Sequence, residues 1–179
     1  MQRSLLLGIH LLLLLFTVLS TCDRAKETED GGGNDAERTT TIYLVRHAEK
    51  EAGEDPRLTA AGEERAQHLR KLLSGKRLSA VYSTQTQRTQ MTAEPTAQDH
   101  QLDVQAYDPG DLAGFADELK HKHQGESILV VGHSNTTPAL VNALSKTSNY
   151  GAISEDLFGT LYVVTLPRRG EARVAERTY

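Results

Sequence analysis

Short apolar runs alternate with segments of helical period along most of this chain. Thr41-Ile42-Tyr43-Leu44-Val45 and Ala80-Val81-Tyr82-Ser83 are β-branched and aromatic runs of strand length. Ser127 to Val131 is apolar and β-branched after its first residue, the pattern of a central strand covered on both faces. Leu161 to Leu166 predicts a last clear strand, with residues 173–176 beside it, and a brief strand is expected near residues 102–105. Between these runs, Ala66, Leu69, Leu72 and Leu73 fall on one face of a predicted helix over 60–73, opened by Leu58-Thr59 and stopped by Gly75. Residues 85–98 read as a helix interrupted near Pro95. Leu112, Phe115, Ala116 and Leu119 form a third amphipathic stripe, and Pro138 suits the first turn of a helix reaching about Leu144. Strands alternating with helices predict an α/β fold, a three-layer α/β/α sandwich with a mostly parallel central sheet. No internal repeat and no second domain are visible.

The pattern differs at the N-terminus. Leu5 to Leu19 is almost unbroken in its apolar character, follows Arg3, and is too short for a comfortable membrane span. Residues 1–21 therefore read as a signal peptide. Leu19-Ser20-Thr21-Cys22 resembles a bacterial lipobox, with Thr21 where Gly or Ala is usual; the resemblance implies that Cys22 is lipidated. The alternatives are simple secretion, with Cys22 a bystander, and an uncleaved anchor. A single cysteine forms no internal disulfide, so stability rests on the core. Residues 22–39 are rich in charge, contain Gly31-Gly32-Gly33, and read as a flexible tether. Residues 40–179 remain as one domain of ordinary size. The expected location is extracytoplasmic and membrane-anchored, or else soluble and secreted or periplasmic. The formal charge of −4 and the lack of a basic block argue against a nucleic-acid partner.

The polar residues that close three of the strand runs carry the chemistry. Arg46-His47-Ala48 ends the first run, Ser83-Thr84-Gln85-Thr86-Gln87-Arg88 follows the second, and Gly132-His133-Ser134-Asn135 follows the third. Sites in parallel sheets form beyond the carboxyl ends of strands, so two arginines and two histidines are expected to converge. A phosphoryl group needs its oxygens neutralised and a nucleophile in line with the leaving oxygen. Neutral imidazole offers a lone pair near neutral pH, and guanidinium offers paired donors to phosphate oxygens. With two guanidiniums supplying charge, no metal and no cofactor is required.

These residues resemble the histidine phosphatase, or phosphoglycerate mutase-like, superfamily from about Thr40 to at least Leu144. The resemblance extends to Arg46-His47-Ala48-Glu49-Lys50, Leu58-Thr59-x-x-Gly62-x-x-Arg65-Ala66, and Arg88 ahead of Thr92-Ala93-Glu94. It implies that His47 is the nucleophile that becomes phosphohistidine, that Arg46 and Arg88 hold the phosphate, and that His133 is the second histidine. Arg65 belongs to scaffold. Ala48 stands where the family often has Gly. Asn135 stands where some members have an Asp acid; the segment before the next helix offers Asp108 and Asp111, of which Asp108 is the candidate proton donor and Asp111 suits a helix N-cap at least as well. Asn135 either adds a donor toward phosphate or only caps a helix. Glu49 either orients a site group or is a solvated loop charge, and Lys50 is a rim candidate. His68, His100, His121 and His123 read as solvent-facing. The function implied is a metal-independent phosphatase acting on a phosphorylated substrate. Two rivals stay open: a phospho-ligand binding protein without turnover, and a protein phosphohistidine phosphatase.

Overall fold

In the computed structural model, which describes residues 39–146 and 148–179, side-chain alternation along the first strand sets the architecture. β1 (Thr40–Arg46) sends Ile42 and Leu44 into one core and Tyr43 and Val45 into another, the two-residue period of extended chain. β2 (Leu78–Ser83) and β4 (Ser127–Gly132) divide the same way, Tyr82 and Ile128 against Val81 and Leu129. On the second face lie α1 (Ala60–Leu73), through Leu69 and Leu73, and α2 (Gln87–Asp99), through Ala93 and Ala97. On the first face lie α3 (Leu112–Lys122), through Phe115 and Leu119, and α4 (Thr136–Ser145), through Leu140 and Leu144.

The sheet has six strands in the order β3-β2-β4-β1-β5-β6, with β3 spanning Val104–Ala106, β5 Thr160–Leu166 and β6 Arg173–Thr178. β3, β2, β4 and β1 pair in parallel; β5 is antiparallel to β1 and β6 to β5. The sheet is therefore mixed and flanked by four helices. The carboxyl ends of β1, β2 and β4 lie side by side, because Val45 pairs with Val131 and Ser83 pairs with the same residue.

Three local expectations are corrected. α2 runs through Pro95 without a break. The missing N–H costs one helical hydrogen bond, but Thr92, Ala93, Thr96 and Ala97 are buried on both sides of it, and that packing holds the helix together. Leu72 is 44% exposed, whereas Gly62, Ala66, Leu69 and Leu73 are buried; the buried stripe advances by four, three and four residues and passes Leu72 by. His123 is buried, with Nδ1 2.6 Å from Glu126 Oε2 and Nε2 2.9 Å from Tyr82 Oη. The end of α3 turns it inward beneath Thr40, whose hydroxyl donates to the His123 carbonyl at 2.9 Å.

Gly62 shows why the start of α1 has its sequence. A Cβ there would lie 2.1 Å from the Glu49 carbonyl oxygen, closer than any side chain allows. That oxygen accepts the Thr59 N–H at 3.0 Å, and the Thr59 hydroxyl accepts from the Gly62 N–H at 3.1 Å as N-cap. The helix start and the loop leaving His47 are thereby pressed together. The expected signal peptide, Cys22 and all of the tether but Thr39 fall outside the described residues. Among the described residues no helix is long and apolar enough to cross a membrane.

Candidate active site

Arg46 ends β1 and His47 follows it. The His47 N–H continues the ladder by donating to the Gly132 carbonyl at 2.9 Å, which fixes the first histidine beside the turn that carries the second. The Ala48 N–H donates to Thr92 Oγ1 at 3.0 Å, and that hydroxyl donates to the Arg88 carbonyl at 2.7 Å. Thr92 thus joins the His47 loop to the first turns of α2.

The His47 ring has a defined tautomer. Nδ1 lies 2.8 Å from the Ala48 carbonyl oxygen, which only accepts, so Nδ1 carries the proton and Nε2 keeps its lone pair. Burial lowers the His47 pKa from 6.5 to about 4; the Ala48 carbonyl opposes this, and Arg46, Arg88 and His133 reinforce it. The imidazole is neutral at neutral pH.

Arg46 is 1% exposed. Its Nη1 donates to the carbonyls of Ser154, Glu155 and Leu157 at 2.8, 3.0 and 3.2 Å, and its Nη2 donates to Glu155 Oε2 at 2.7 Å. The guanidinium carbon sits 4.3 Å from the Phe158 ring centroid. Arg88, from the first turn of α2, places Nη1 3.5 Å from Asp55 Oδ1 and Nη2 3.4 Å from His133 Nδ1. The Nε atoms of both arginines are buried and have no hydrogen-bond partner. An unpaired buried donor costs about 1–3 kcal/mol, more when charged. Both Nε–H groups are charge-assisted donors of the kind that a phosphate oxygen satisfies.

His133 stands 5.6 Å from His47, centroid to centroid, with the rings inclined at 67°. Since guanidinium only donates, His133 Nδ1 is the acceptor, and Nε2–H donates to Thr84 Oγ1 at 2.8 Å. Burial, then Arg88 and Arg46, lower its pKa to about 4. A Cβ on Gly132 would meet Tyr107 Oη at 2.7 Å and Thr137 Oγ1 at 2.9 Å, so the strand end before His133 has room only for glycine.

The fold thus brings together Arg46, His47, Arg88 and His133. The other candidates are placed as follows. Asp108 shares a cavity of about 490 Å³ with His133, Thr84, Thr86 and Tyr107, but its Oδ1 accepts from the Gly110 N–H at 2.8 Å. Asp111 caps α3, accepting from the Gly114 N–H at 2.9 Å. Asn135 is the N-cap residue of α4, exposed, and makes no side-chain capping bond. Glu49 is gripped by Arg65, whose Nη2 and Nε donate to it at 2.6 to 3.0 Å, and the partnership holds its carboxyl below the usual range. Its carboxylate serves the α1 contact rather than the histidines. Lys50 pairs with Leu58 across an isolated bridge. Among the described residues no group of three or more His, Cys, Asp or Glu is gathered as a metal site. The larger hollow, about 960 Å³, lies by Thr40, Gly125 and Leu166 at the opposite end of the sheet and touches none of the four.

Sequence reasoning missed Glu155, Phe158 and Thr84. Thr84 follows a strand end, which was a usable signal. Glu155 and Phe158 lie between α4 and β5, where no period or motif marks them.

Residues 42–109 match the model of the histidine phosphatase superfamily (branch 1). Over that stretch the chain is similar to the histidine phosphatase superfamily. No curated protein matches the sequence. Among solved structures, a mycobacterial glucosyl-3-phosphoglycerate phosphatase superposes with a TM-score of 0.60 at 13% identity, covering 79% of this chain and 99% of that one. A phosphoglycerate mutase from Plasmodium falciparum gives 0.55 at 18% identity, covering 78% and 90%. A phosphoserine phosphatase from Entamoeba histolytica, in complex with 3-phosphoglyceric acid, gives 0.55 at 13% identity, covering 78% and 98%. At these identities the structural likeness is one of fold alone.

Proposed function

We propose that this chain is a phosphatase that hydrolyses a phosphoric monoester through a phosphohistidine on His47. The state of His47 carries the reading: its Nδ1 proton is committed to Ala48, which leaves the Nε2 lone pair for phosphorus, and the ring feels the charge of two guanidiniums whose Nε–H groups are unpartnered. Nε2 attacks phosphorus as the ester P–O bond breaks, and the leaving oxygen takes a proton from Asp108. Water, deprotonated by Asp108, then attacks phosphorus, the P–N bond breaks, and phosphate and neutral His47 are released. The cavity of about 490 Å³ beside His133 supports a route for water to the intermediate, and a wetted intermediate favours hydrolysis over a mutase's transfer. Such an opening admits phosphoprotein or glycan phosphate as well as a small ester.

The pH profile is a direct test. With a His47 pKa of about 4, the nucleophile stays neutral at every pH well above that value and is protonated below it. Once corrected for substrate ionisation, kcat/KM for an aryl phosphate should not change between pH 6 and 8 on account of His47. It should fall about tenfold per unit below about pH 4. A fall centred near 6.5 would return His47 to an ordinary value and remove the argument for its neutrality.

The binding-protein reading is favoured by one observation, the commitment of Asp108 to Gly110. Acid-labile, alkali-stable phosphate trapped by rapid quench separates it from catalysis. If the leaving group is itself imidazole, no strong acid is essential, and a protein phosphohistidine would be the substrate.

Location rests on sequence. We propose a lipid anchor at Cys22 that holds the enzyme outside the cytoplasm. Mass spectrometry of the mature N-terminus should find a diacylglyceryl adduct on Cys22; an unmodified N-terminus elsewhere in the tether would refute the anchor and leave the chemistry untouched.

A further inference from the structure

Among the described residues, the hydrogen bonds and the ring contact of the Arg46 guanidinium all go to one short segment, residues 154–158. Its Nη1 edge faces three backbone carbonyls, its face lies on Phe158, and its Nη2 meets the Glu155 carboxylate. Nε is the one guanidinium nitrogen left over. The second Glu155 oxygen, Oε1, accepts from the Ser134 hydroxyl at 2.8 Å. Ser134 follows His133, and its carbonyl accepts the Ile153 N–H at 2.8 Å. One carboxylate therefore spans the two halves of the site, the β1 end with Arg46 and His47 and the β4 end with His133 and Ser134.

We infer that Glu155 is a positioning residue: by bridging Arg46 Nη2 and Ser134 Oγ, it turns the Nε edge of Arg46 to the phosphate and holds the two histidine turns in register. The inference rests on the phosphate reading of the site. Glu155 is not a proton donor for the leaving group. The Ser134 hydroxyl, followed by Arg46, holds its carboxyl below the usual range and keeps it ionised. Its exposed stem makes it replaceable without opening the core, since its side chain is 78% accessible while that of Arg46 is 1%. The contrary reading is that the carboxylate is a stand-in anion that phosphate must displace from Arg46. The two readings predict opposite changes in affinity.

The experiment uses the full chain with Glu155→Ala, Glu155→Gln and Ser134→Ala. It measures kcat and KM on p-nitrophenyl phosphate, and the ¹⁵N shift of the Arg46 Nε–H on addition of inorganic phosphate. Glu155→Ala should lower kcat by about 10- to 100-fold, the usual effect of removing a support behind a working ligand, with a much smaller change in KM. Glu155→Gln should recover most of that loss, because its amide oxygen still accepts from Arg46. Ser134→Ala should lose less than Glu155→Ala, in the same direction. Phosphate should move the Arg46 Nε–H signal in the wild type and far less in Glu155→Ala. A lower KM and stronger phosphate response in Glu155→Ala would identify a competing anion and overturn the inference, as would wild-type kinetics in all three variants. If the wild type binds phosphate but turns nothing over, the NMR comparison alone decides. Loss of the Nε response in Glu155→Ala then supports positioning while the phosphatase reading fails; an equal response in both, or none in the wild type, overturns positioning.

Discussion

His47→Ala should abolish turnover of an aryl phosphate while leaving a folded domain. The expected loss is roughly 10⁴-fold or more, since removal of a covalent nucleophile in other hydrolases costs up to about 10⁶ in kcat. That is at least about 5 kcal/mol of transition-state stabilisation, at 1.36 kcal/mol per factor of ten. The fold should survive because the ring's one hydrogen bond goes to the neighbouring Ala48 carbonyl, not across the structure. The backbone N–H that ties the loop to Gly132 remains in the variant. The measurement is steady-state turnover beside a thermal melt and a quench assay for protein-bound phosphate. Full activity in a folded variant would end the proposed mechanism.

Arg88→Ala should lose about 10²–10³-fold in kcat, the range for removing one charge-assisted donor from a transition state, whereas Arg65→Ala should keep most of its activity. Each variant deletes one guanidinium, so net charge is not the variable. Arg88 stands 3.4 Å from His133 and keeps a buried, unpartnered Nε–H. Arg65 is fully employed by Glu49 and by the Tyr179 carbonyl at 2.8 Å. Its partly buried ion pair is worth about 1 kcal/mol of stability, so Arg65→Ala should show itself in the melting temperature instead. Lysine in place of Arg88 should restore little, because an ammonium lacks the paired planar donors. Similar small losses from both alanine variants would mean that Arg88 does not touch the transferring group.

The runs that became β1, β2 and β4 were legible because each is buried on both faces, which leaves a nearly continuous apolar string. The residues after them were legible because a parallel sheet gathers strand ends. Strand order was not, since it depends on which helical stripe meets which side of the sheet. Nor was the reversal of β5, because direction leaves no trace in a strand's composition. Glu49 was misjudged for a local reason: it follows His47 by two residues, yet the loop turns its side chain toward Arg65. Glu155 was invisible for the opposite reason. Its contact with Arg46 spans 109 residues, and the stretch between α4 and β5 has no periodicity to say that it folds back over β1.

The two margins of the sheet are built unlike its middle. β3, at one margin, is three residues long, and β6, at the other, is mostly exposed and carries Arg173, Glu176 and Arg177. A long, flat, apolar margin is a template on which another chain's backbone can dock and extend the sheet. Here one margin is too short to act as a template, and the other would bring charged side chains of a second copy against its own. The consequence concerns crowding: among the described residues, neither sheet margin offers copies held close together a template on which to polymerise.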